Sequence, residues 1–561
     1  MSKPLLLLLL AGLAAGSALA AETLPNGLAL PSPWPPRQQP ITVEPPGPPP
    51  YLLAPPAVIP VDLGRQLFVD YFLVADTDLH RTAHTPEYFP GNPVIAPDRP
   101  WEKYRGQGMA MSFSDGVWYD PASRLFQAWY MSGQSTTSYA TSGDGVHWDK
   151  PALDVHPGTN IVQEASRDSS IVWRDAEEID PTRRYKMVHG MGNYPGGRPF
   201  GVYYSADGIH WRDSGLRTPP VGDRTTAFWN PFRRVWVFSI RAYAPRQQPP
   251  AFYAKFPFHK QPGDEARIRS YHEGSDLAAA ATWKPEEAVP WVGADRLDAT
   301  RIDLGSRPEL YTVDAVAYES VMLGFFTIWR GQYDRAVRDK PNQVSVGFSR
   351  DGFHWDRPFR SPFLPISEQK GAWNYANVQS VGGLCLVVGD RLFFYMSGRT
   401  AGQTGPGTES TGLATLRRDG FISMDAGEGG GTLTTRPLRF HGRHLFVNAD
   451  SSRGELKVEV LDAAGSVLPP YGLAECAPLR SDNTLQEVTW QGAADLGSLA
   501  GRPVRFRFHL RAGSLYAFWV SPDSSGASHG YVAAGGPGFT GPTDTVGKAI
   551  YETGTVKQEL N

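Results

Sequence analysis

The stretch SGDGVHW at residues 142–148 recurs as SADGIHW at 205–211 and as SRDGFHW at 349–355, with a degenerate copy, RDGF, at 418–421. Each copy follows a short run of β-forming residues. An Asp-Gly pair between such runs is a strong hairpin signal, because glycine tolerates positive φ and aspartate bonds the local backbone. The recurring stretch therefore predicts four equivalent hairpins.

A second common piece lies upstream of each hairpin: a turn followed by an aromatic, β-forming run, as in YDP at 119–121 before LFQAWY at 125–130. The whole unit reads as strand, turn, strand, strand, Asp-Gly turn, strand. Four antiparallel strands repeated radially describe a β-propeller. We predict five blades and expect the segment 67–79 to close the ring. The predicted blades cover residues 105–155, 165–215, 222–285, 308–360 and 375–425.

Blade three lacks the Asp-Gly-x-His-Trp piece, and ATWKP at 281–285 is expected to take its place. The three repeated Asp and His residues do not predict a catalytic site, because equivalent residues of different blades are spread around the rim. We assign them to folding. They resemble the Asp box of sialidases, but are one residue shorter before the Trp.

The chain has 561 residues, and 54 Lys+Arg against 57 Asp+Glu give a net charge of -3. This balance argues against a nucleic-acid partner. Residues 1–20 read as a signal peptide, which predicts a secreted or periplasmic protein with no membrane span after cleavage. The Pro-rich leader at 21–60 is expected to be an extended segment, either a spacer that lies on the domain surface or, as the favoured alternative, a poorly ordered tether.

Two further predictions concern the rest of the chain. The propeller is expected to span 61–425, and alternating runs such as LKVEV at 456–460 predict a β-sandwich over 426–524. The Gly- and Ser-rich tail at 525–561 is expected to lack fixed structure. The only two cysteines, Cys385 and Cys476, could be bridged or could be buried free thiols. The predicted fold class is all-β, a five-bladed β-propeller followed by a β-sandwich.

This architecture resembles glycoside hydrolase family 32, with kin in families 43, 62 and 68. The runs LFVNAD at 445–450 and RFRFHL at 505–510 look like the sandwich of that family, and QLFVDY at 66–71 with NPVI at 92–95 is similar to an exported family 32-like subgroup. The resemblance implies an enzyme that cleaves glycosidic bonds and a carbohydrate as partner.

The motifs of family 32 itself are not intact. WRDA at 173–176 lacks the proline of an Arg-Asp-Pro motif, and EC at 475–476 lies in the accessory domain. Cleavage of sucrose or fructans therefore does not carry over, and another furanoside or pyranoside is the more prudent expectation.

Glycoside hydrolysis needs a proton donor and a second carboxylate, and in a propeller these groups converge where the innermost strands begin. Asp168 directly precedes the first strand of blade two, and Asp223 that of blade three. Asp314 and Glu309 belong to blade four, and Asp70 lies in the expected closing segment. These five are the predicted catalytic candidates.

Other side chains near the same strand starts are candidates for substrate binding. Arg224 offers a planar fork for a sugar or carboxylate, and Asn377 and Gln379 of blade five can bond hydroxyls. Trp373 and Tyr375 lie in the loop that enters blade five and are suited to stacking on a sugar ring. Tyr311, Trp101 and Trp329 are further aromatics near blade edges, and Asp115 of blade one is weakened because Ser-Asp-Gly favours a turn.

The sequence predicts no metal site and no cofactor, because the 13 His form no compact ligand signature and no Gly-rich phosphate loop is present. Two alternatives to a glycoside hydrolase remain open. One is a carbohydrate-binding propeller without catalysis. The other is a sialidase-like enzyme with a Tyr nucleophile and several Arg, against which the count of five blades argues.

Overall fold

The computed structural model describes residues 22–37, 40–104, 106–133, 135–190, 197–245, 265–301, 307–331, 338, 340–402 and 405–551. The predicted signal peptide lies outside them. Helical elements are short: α-helices at Pro50–Leu53 and Leu277–Ala281, and 3-10 turns at Pro100–Glu102, Pro181–Arg183, Pro285–Glu287, Gly497–Leu499 and Gly547–Tyr551. The all-β prediction is confirmed.

Five antiparallel blades form the propeller. Their strands, from the innermost outward, are Gln107–Met111 with Val117–Asp120, Leu125–Ser132, Thr136–Ser142 and Ile161–Gln163 in blade one; Ser169–Arg174, Tyr185–Gly190, Gly201–Ser205 and Arg212–Arg217 in blade two; Thr226–Asn230, Val235–Pro245, Glu265–Gly274 and Val289–Gly293 in blade three; Glu309–Glu319, Val321–Trp329 and Asn342–Ser349 in blade four; Asn377–Gln379 with Leu386–Val388, Arg391–Arg399 and Thr408–Arg417 in blade five. Isolated bridges from Asp356 and Leu364 complete the outer edge of blade four.

Blade three differs from its predicted form. The stretch expected to replace the missing hairpin lies between the helix Leu277–Ala281 and the 3-10 turn Pro285–Glu287. The outer strand, Val289–Gly293, follows that turn and pairs with Glu265–Gly274.

The ring is closed by a different segment from the one predicted. Glu87–Tyr88 pairs antiparallel with Thr408–Arg417 of blade five, and a bridge between Ile95 and Thr411 extends that contact. The prediction for 67–79 is wrong, because Gln66–Leu67 and Val74–Thr77 pair with sandwich strands instead. The propeller therefore begins well after residue 61.

The repeated hairpin motif works as a turn clamp and as a contact between blades. Asp207 Oδ1 accepts hydrogen bonds from the backbone N–H groups of Ile209 and His210, both at 2.9 Å. The motif also joins neighbouring blades: Trp129 of blade one donates its indole N–H to the carbonyl oxygen of Gly208, in the motif of blade two, at 2.7 Å. Tyr395 of blade five donates in the same way to Gly145 of blade one at 2.6 Å. The assignment of the motif to folding agrees with these contacts.

The sandwich consists of two sheets that enclose a second hydrophobic core. One sheet contains Ile59–Pro60, Val74–Thr77, Gly431–Thr435, Leu438–Arg439, Glu455–Asp462 and Val504–Arg511; the other contains Gln66–Leu67, His80–Ala83, Ile422–Ala426, His444–Asp450, Asp482–Val488 and Gly513–Ser521. Residues 59–83 thus belong to the sandwich, although the sequence assigned 61–83 to the propeller.

The C-terminal segment is structured, which corrects the expectation of a tail without order for 525–551. Tyr531–Val532 pairs with the last residues of Glu309–Glu319, the inner strand of blade four. Val532 and Phe539 are buried in the propeller core. Residues 552–561 lie outside the described part of the chain.

The leader also packs on the molecule. Leu24, Leu28, Leu30 and Tyr51 are buried, and the Tyr51 hydroxyl donates to the His354 carbonyl oxygen at 3.3 Å. The leader therefore covers part of the surface, which contradicts a poorly ordered tether for the described residues. Cys385 and Cys476 are buried free thiols. Within the described ranges, no helix is both long and apolar enough to cross a membrane.

Candidate active site at the mouth of the channel

The five inner strands begin at one end of the propeller, which we call the mouth. Neighbouring blades are tied together there. Arg224 N–H of blade three donates to Ser169 Oγ of blade two at 2.7 Å, and Val381 N–H of blade five donates to Asp314 of blade four at 3.2 Å. Because of these contacts, side chains from separate stretches of sequence meet at the mouth.

Asp168 and Arg224, a predicted catalytic candidate and a predicted binding residue, lie close together. Arg224 Nη2 lies 3.4 Å from Asp168 Oδ1, and the Asp168 side chain is 24% exposed. The Arg224 guanidinium carbon stands 4.0 Å from the ring centroid of Phe113. Arg224 and Phe113 both have positive φ, 59° and 44°. Such strained backbone is maintained only where surrounding contacts hold it, and it concentrates at functional sites.

Tyr311 reaches the channel through a β-bulge. Leu310 pairs with Ile328 and Thr312 pairs with Thr327, so Tyr311 is an extra residue without a cross-strand partner. In a regular strand, residues three positions apart point to opposite faces. The bulge shifts the alternation, so that both Tyr311 and Asp314 contact groups at the mouth.

Cations surround the Tyr311 ring. Its centroid lies 5.6 Å from the guanidinium carbon of Arg241, 5.8 Å from that of Arg267 and 5.9 Å from Lys340 Nζ. Burial by itself raises the pKa of this phenol, but the charges of Lys340, Arg224 and Arg241 outweigh burial and lower the pKa to about 7. Tyr311 can therefore carry a negative charge near neutral pH.

Asp314 has the opposite perturbation. Burial raises its pKa to about 6, although hydrogen bonds from Ser114 and the Val381 N–H and the charges of Arg269 and Arg224 act to lower it. Burial disfavours the charged form of a carboxyl group. Asp314 therefore holds its proton closer to neutral pH than an ordinary aspartate does, as a general acid requires.

A fully buried ion pair lies next to these groups. Arg167 Nη1 is 2.5 Å from Asp115 Oδ2, and neither side chain is exposed. Burial raises the pKa of Asp115 and outweighs the opposing charge of Arg167. Asp115, a weak candidate in the sequence because Ser-Asp-Gly favours a turn, lies against the first residues of blade two.

The other two acidic candidates at the mouth are each held by an arginine. Arg241 Nη1 binds the carboxylate of Asp223. Arg267 Nη1 donates to Glu309 Oε2 at 2.6 Å, and the Arg267 backbone N–H donates to the same oxygen at 3.2 Å. Asp223 and Glu309 therefore lie near the mouth, where they orient arginines.

Two arginines of blade three stand directly opposite each other. Arg241 and Arg269 are cross-strand partners, and Arg269 is fully buried and donates to the Arg224 carbonyl oxygen at 2.8 Å. Burial, followed by the charge of Arg241, holds the pKa of Arg269 well below its usual range. Like charges in such a pair repel each other, so nearby carboxylates must stabilise the arrangement.

The predicted binding residues of blade five serve contacts between blades. Asn377 Nδ2 donates to the Lys340 carbonyl oxygen at 2.6 Å, and Gln379 Oε1 accepts from Asn342 Nδ2 at 3.1 Å. Both side chains are buried. Asn377 lies at the start of its inner strand and contacts Lys340, whose ammonium group is near Tyr311. Its role in sugar binding stays a prediction.

The two predicted stacking residues are engaged in packing. A Cβ atom at Gly398 or Gly412 would lie within 2.4 Å of the Trp373 ring, so this ring covers the backbone of blade five. Tyr375 lies under Arg338, whose guanidinium carbon is 4.5 Å from the ring centroid. Stacking of either ring on a sugar stays a prediction.

Asp70 does not belong to the site. Its carboxylate accepts from Arg350 Nε at 3.0 Å and Arg350 Nη2 at 2.9 Å, and also from the Phe72 N–H at 3.0 Å. The prediction that Asp70 points into the channel is wrong, because its segment packs in the sandwich and Arg350 comes from the hairpin motif of blade four.

Sequence reasoning missed most of the cations at the mouth. Arg267 and Arg269 alternate within one strand, and that spacing of two could have indicated a charged strand face. No comparable signal connects Arg167, Arg241 and Lys340, which are far apart in sequence. Among the described residues, no group of three or more His, Cys, Asp and Glu could hold a metal ion.

No family model and no curated protein matches this chain. Solved structures are similar at low identity. An N-acetylgalactosamine deacetylase from F. plautii, in complex with blood group B trisaccharide, is 13% identical over 64% of this chain and 97% of its own, with a TM-score of 0.37. A structure from the GH130 family of mannoside phosphorylases, a family that contains glycoside hydrolases which target β-1,2 mannosidic linkages in Candida mannan, is 11% identical. The match covers 60% of this chain and 94% of that one, with a TM-score of 0.37. A glycosyl hydrolase from Bacteroides ovatus is 11% identical over 63% and 97%, with a TM-score of 0.33.

Proposed function

We propose that this chain is an exported carbohydrate-active enzyme that hydrolyses glycosidic bonds at the mouth of its propeller. One observation carries the proposal. Two aspartates with different environments lie around one arginine: Asp168 is partly exposed and paired with Arg224, whereas Asp314 is buried and its pKa is raised to about 6. A pair of carboxyl groups whose environments differ in this way is the requirement of glycoside hydrolysis.

The roles follow from these environments. Asp314 donates a proton to the leaving oxygen as the glycosidic bond breaks. Asp168 acts as the carboxylate that attacks the anomeric carbon or removes a proton from the attacking water. Arg224 orients Asp168 through its guanidinium fork and supplies hydrogen-bond donors to the substrate. Asp223 holds Arg241 in position, and Glu309 holds Arg267.

A second candidate reaction is favoured by Tyr311. Its pKa of about 7 makes the phenolate available at neutral pH, and Arg224, Arg241 and Arg267 lie around it. A sialidase-like enzyme uses a Tyr nucleophile. In that reaction Tyr311 attacks the anomeric carbon, and Asp168, whose negative charge acts on Tyr311, assists it by accepting the phenolic proton.

The test is hydrolysis by the purified protein of a panel of aryl furanosides, aryl pyranosides and polysaccharides. On polysaccharides we expect Asp168→Asn and Asp314→Asn each to lose a factor of about 100 to 10,000 in turnover, as is typical for removal of a group that transfers a proton. Asp213→Asn, at an exposed pair with Arg217, is the matched control and should keep full activity.

The leaving group separates the two aspartates. A nitrophenolate needs no proton to depart, so Asp314→Asn should lose far less activity on nitrophenyl glycosides than on natural linkages, whereas Asp168→Asn should lose activity on both. Tyr311→Phe with full activity would eliminate the Tyr nucleophile. Ligand binding without sugar release on any substrate would support a binding module and refute the enzyme.

A further inference from the structure

We propose that a second pocket, beside the mouth on blade four, binds an oxyanion, either the sulfate or the carboxylate of an acidic sugar unit. The pocket has a volume of about 440 Å³. It is lined by Thr300, Arg301, Arg330, Gln343, Arg360 and Ser361, together with apolar residues, and none of the described lining residues is acidic. That the ligand is a sugar unit rests on the proposed function. That it carries an oxyanion is argued from the residues of the pocket alone.

The pocket lies on the mouth side of the blade. Arg330 directly follows the strand Val321–Trp329, which ends at the mouth, and Gln343 lies near the start of the strand Asn342–Ser349. The Trp329 ring is 5.1 Å from the guanidinium carbon of Arg267, one of the arginines at the mouth. A chain of sugars with one unit at the mouth therefore has a neighbouring cationic pocket along blade four.

Arg330 is the centre of this pocket. It is only 2% exposed, and its guanidinium donates to the Ala299 carbonyl oxygen. Among the described residues no carboxylate is paired with it, and its Nε and Thr300 Oγ1 are buried without a hydrogen-bond partner. Burial of a charge is costly unless an opposite charge or hydrogen bonds compensate for it. An incoming oxyanion would provide that compensation.

The neighbouring arginines are held in place by carboxylates outside the lining. Arg301 Nη1 lies 2.6 Å from Glu368 Oε1, and Arg360 Nη1 lies 2.7 Å from Asp295 Oδ2. Burial lowers the pKa of Arg330 to about 10; Asp298 opposes this shift, and Arg357 and Arg301 add to it. Arg301, held by Glu368, thus repels Arg330, and an anion between the two would relieve the repulsion. Guanidinium forks bind carboxylate and sulfate oxygens in pairs.

Isothermal titration calorimetry at constant ionic strength tests the proposal, with sodium sulfate, glucuronate and neutral glucose as probes against a chloride background. We expect sulfate or glucuronate to bind and glucose to bind at least tenfold more weakly. Arg330→Gln should reduce anion affinity by about tenfold or more, since charge-assisted hydrogen bonds are lost. Preference between sulfate and glucuronate identifies which acidic group the pocket takes.

Arg480→Gln is the control, because Arg480 forms an exposed pair with Glu455 in the sandwich. Its affinity for the anions should equal that of the wild type. Arg301→Gln is a second pocket variant, should Arg330→Gln fail to fold. Absence of anion binding by the wild type, or equal binding by wild type and both pocket variants, would overturn the proposal. Asp168→Asn should still bind anions, because Asp168 does not line this pocket. Anion binding by a wild type that hydrolyses no glycoside would count against the proposed reaction alone.

Discussion

The inner strand of blade four, Glu309–Glu319, has a charged cluster at each end, and the two clusters differ in almost every physical respect. At the far end, Arg65 Nη1 lies 2.9 Å from Asp419, and Arg418 Nη2 lies 3.1 Å from Glu319 and 2.9 Å from Asp544. All five side chains have no exposed surface. Two arginines thus hold three carboxylates in a sealed network.

At the mouth the balance of charge is reversed. Among the described residues, six cations face five carboxylates; these are Arg167, Arg224, Arg241, Arg267, Arg269 and Lys340 against Asp115, Asp168, Asp223, Glu309 and Asp314. The Asp168 and Arg267 side chains keep 24% and 21% of their surface exposed. A sealed cluster in which every charge contacts an opposite charge serves stability, whereas an open cluster with surplus cations is suited to bind a ligand.

The largest expected difference between the two ends is in stability. Arg418→Met leaves Glu319 and Asp544 buried with one cation fewer, and should lower the free energy of unfolding by about 3 to 5 kcal/mol. Arg224→Met at the mouth should lower it by about 1 kcal/mol, because Asp168 stays hydrated and repulsion among cations decreases. Urea unfolding followed by tryptophan fluorescence measures both. Equal losses would contradict the comparison.

The pH dependence of stability should have opposite signs at the two ends. The pKa of Asp314 is raised from 3.8 to about 6, so its contribution is present below pH 3.8 and is lost as the pH rises through 6, a change of about 3 kcal/mol. The pKa of Asp419 is lowered by Arg65 and Arg418 against burial, so its contribution is present above pH 3.8 and lost at lower pH.

Unfolding of Asp314→Asn and Asp419→Asn, each relative to the wild type between pH 3 and pH 8, measures these contributions. Asp314→Asn should gain stability relative to the wild type between pH 4 and pH 6, while Asp419→Asn should lose it as the pH rises from 3. A flat difference for either variant would refute the assignment of that group.

Catalysis should follow the same titration at the mouth. If Asp314 is the proton donor, kcat/KM should fall about tenfold per pH unit above pH 6 on substrates with a poor leaving group. The basic limb should disappear on nitrophenyl glycosides, which need no proton donor. A limb that persists unchanged on both substrates would exclude Asp314 from that role.

Contacts between blades at the far end should matter less than its ion cluster. Tyr395→Phe removes one hydrogen bond to the buried Gly145 carbonyl group, which should cost about 1 to 2 kcal/mol. Activity per folded molecule should be unchanged, because the hairpin motifs lie at the far end of the blades. Lower specific activity would show that the two ends are coupled.

The smallest expected effect is that of a single turn clamp. Asp207→Ala removes two hydrogen bonds to backbone N–H groups in an exposed hairpin, and should cost about 1 kcal/mol of unfolding free energy. Arg480→Ala, in an exposed pair with Glu455, is its control and should change stability by less than about 0.5 kcal/mol. A larger loss in the control would contradict a clamp specific to the motif.

Local sequence determined the blades because its signals act over a few residues. An Asp-Gly turn between two β-forming runs specifies a hairpin without help from the rest of the chain, and its four copies, together with the strand–turn–strand piece that precedes them and also occurs in blade three, led to the count of five blades. The same reasoning led to Asp168, Asp223, Arg224, Glu309 and Asp314, because strand starts can be located from the runs that follow them.

Which of these residues meet, and what closes the ring, depends on contacts between distant parts of the chain. Asp70 pairs with Arg350, which is 280 positions away, and Glu87–Tyr88 closes blade five although its sequence carries no strong strand signal. The bulge at Tyr311 overrides the strand alternation on which sequence reasoning depends. Partners separated by hundreds of residues are chosen by packing and by the pairing of buried charges, so a local pattern cannot specify them.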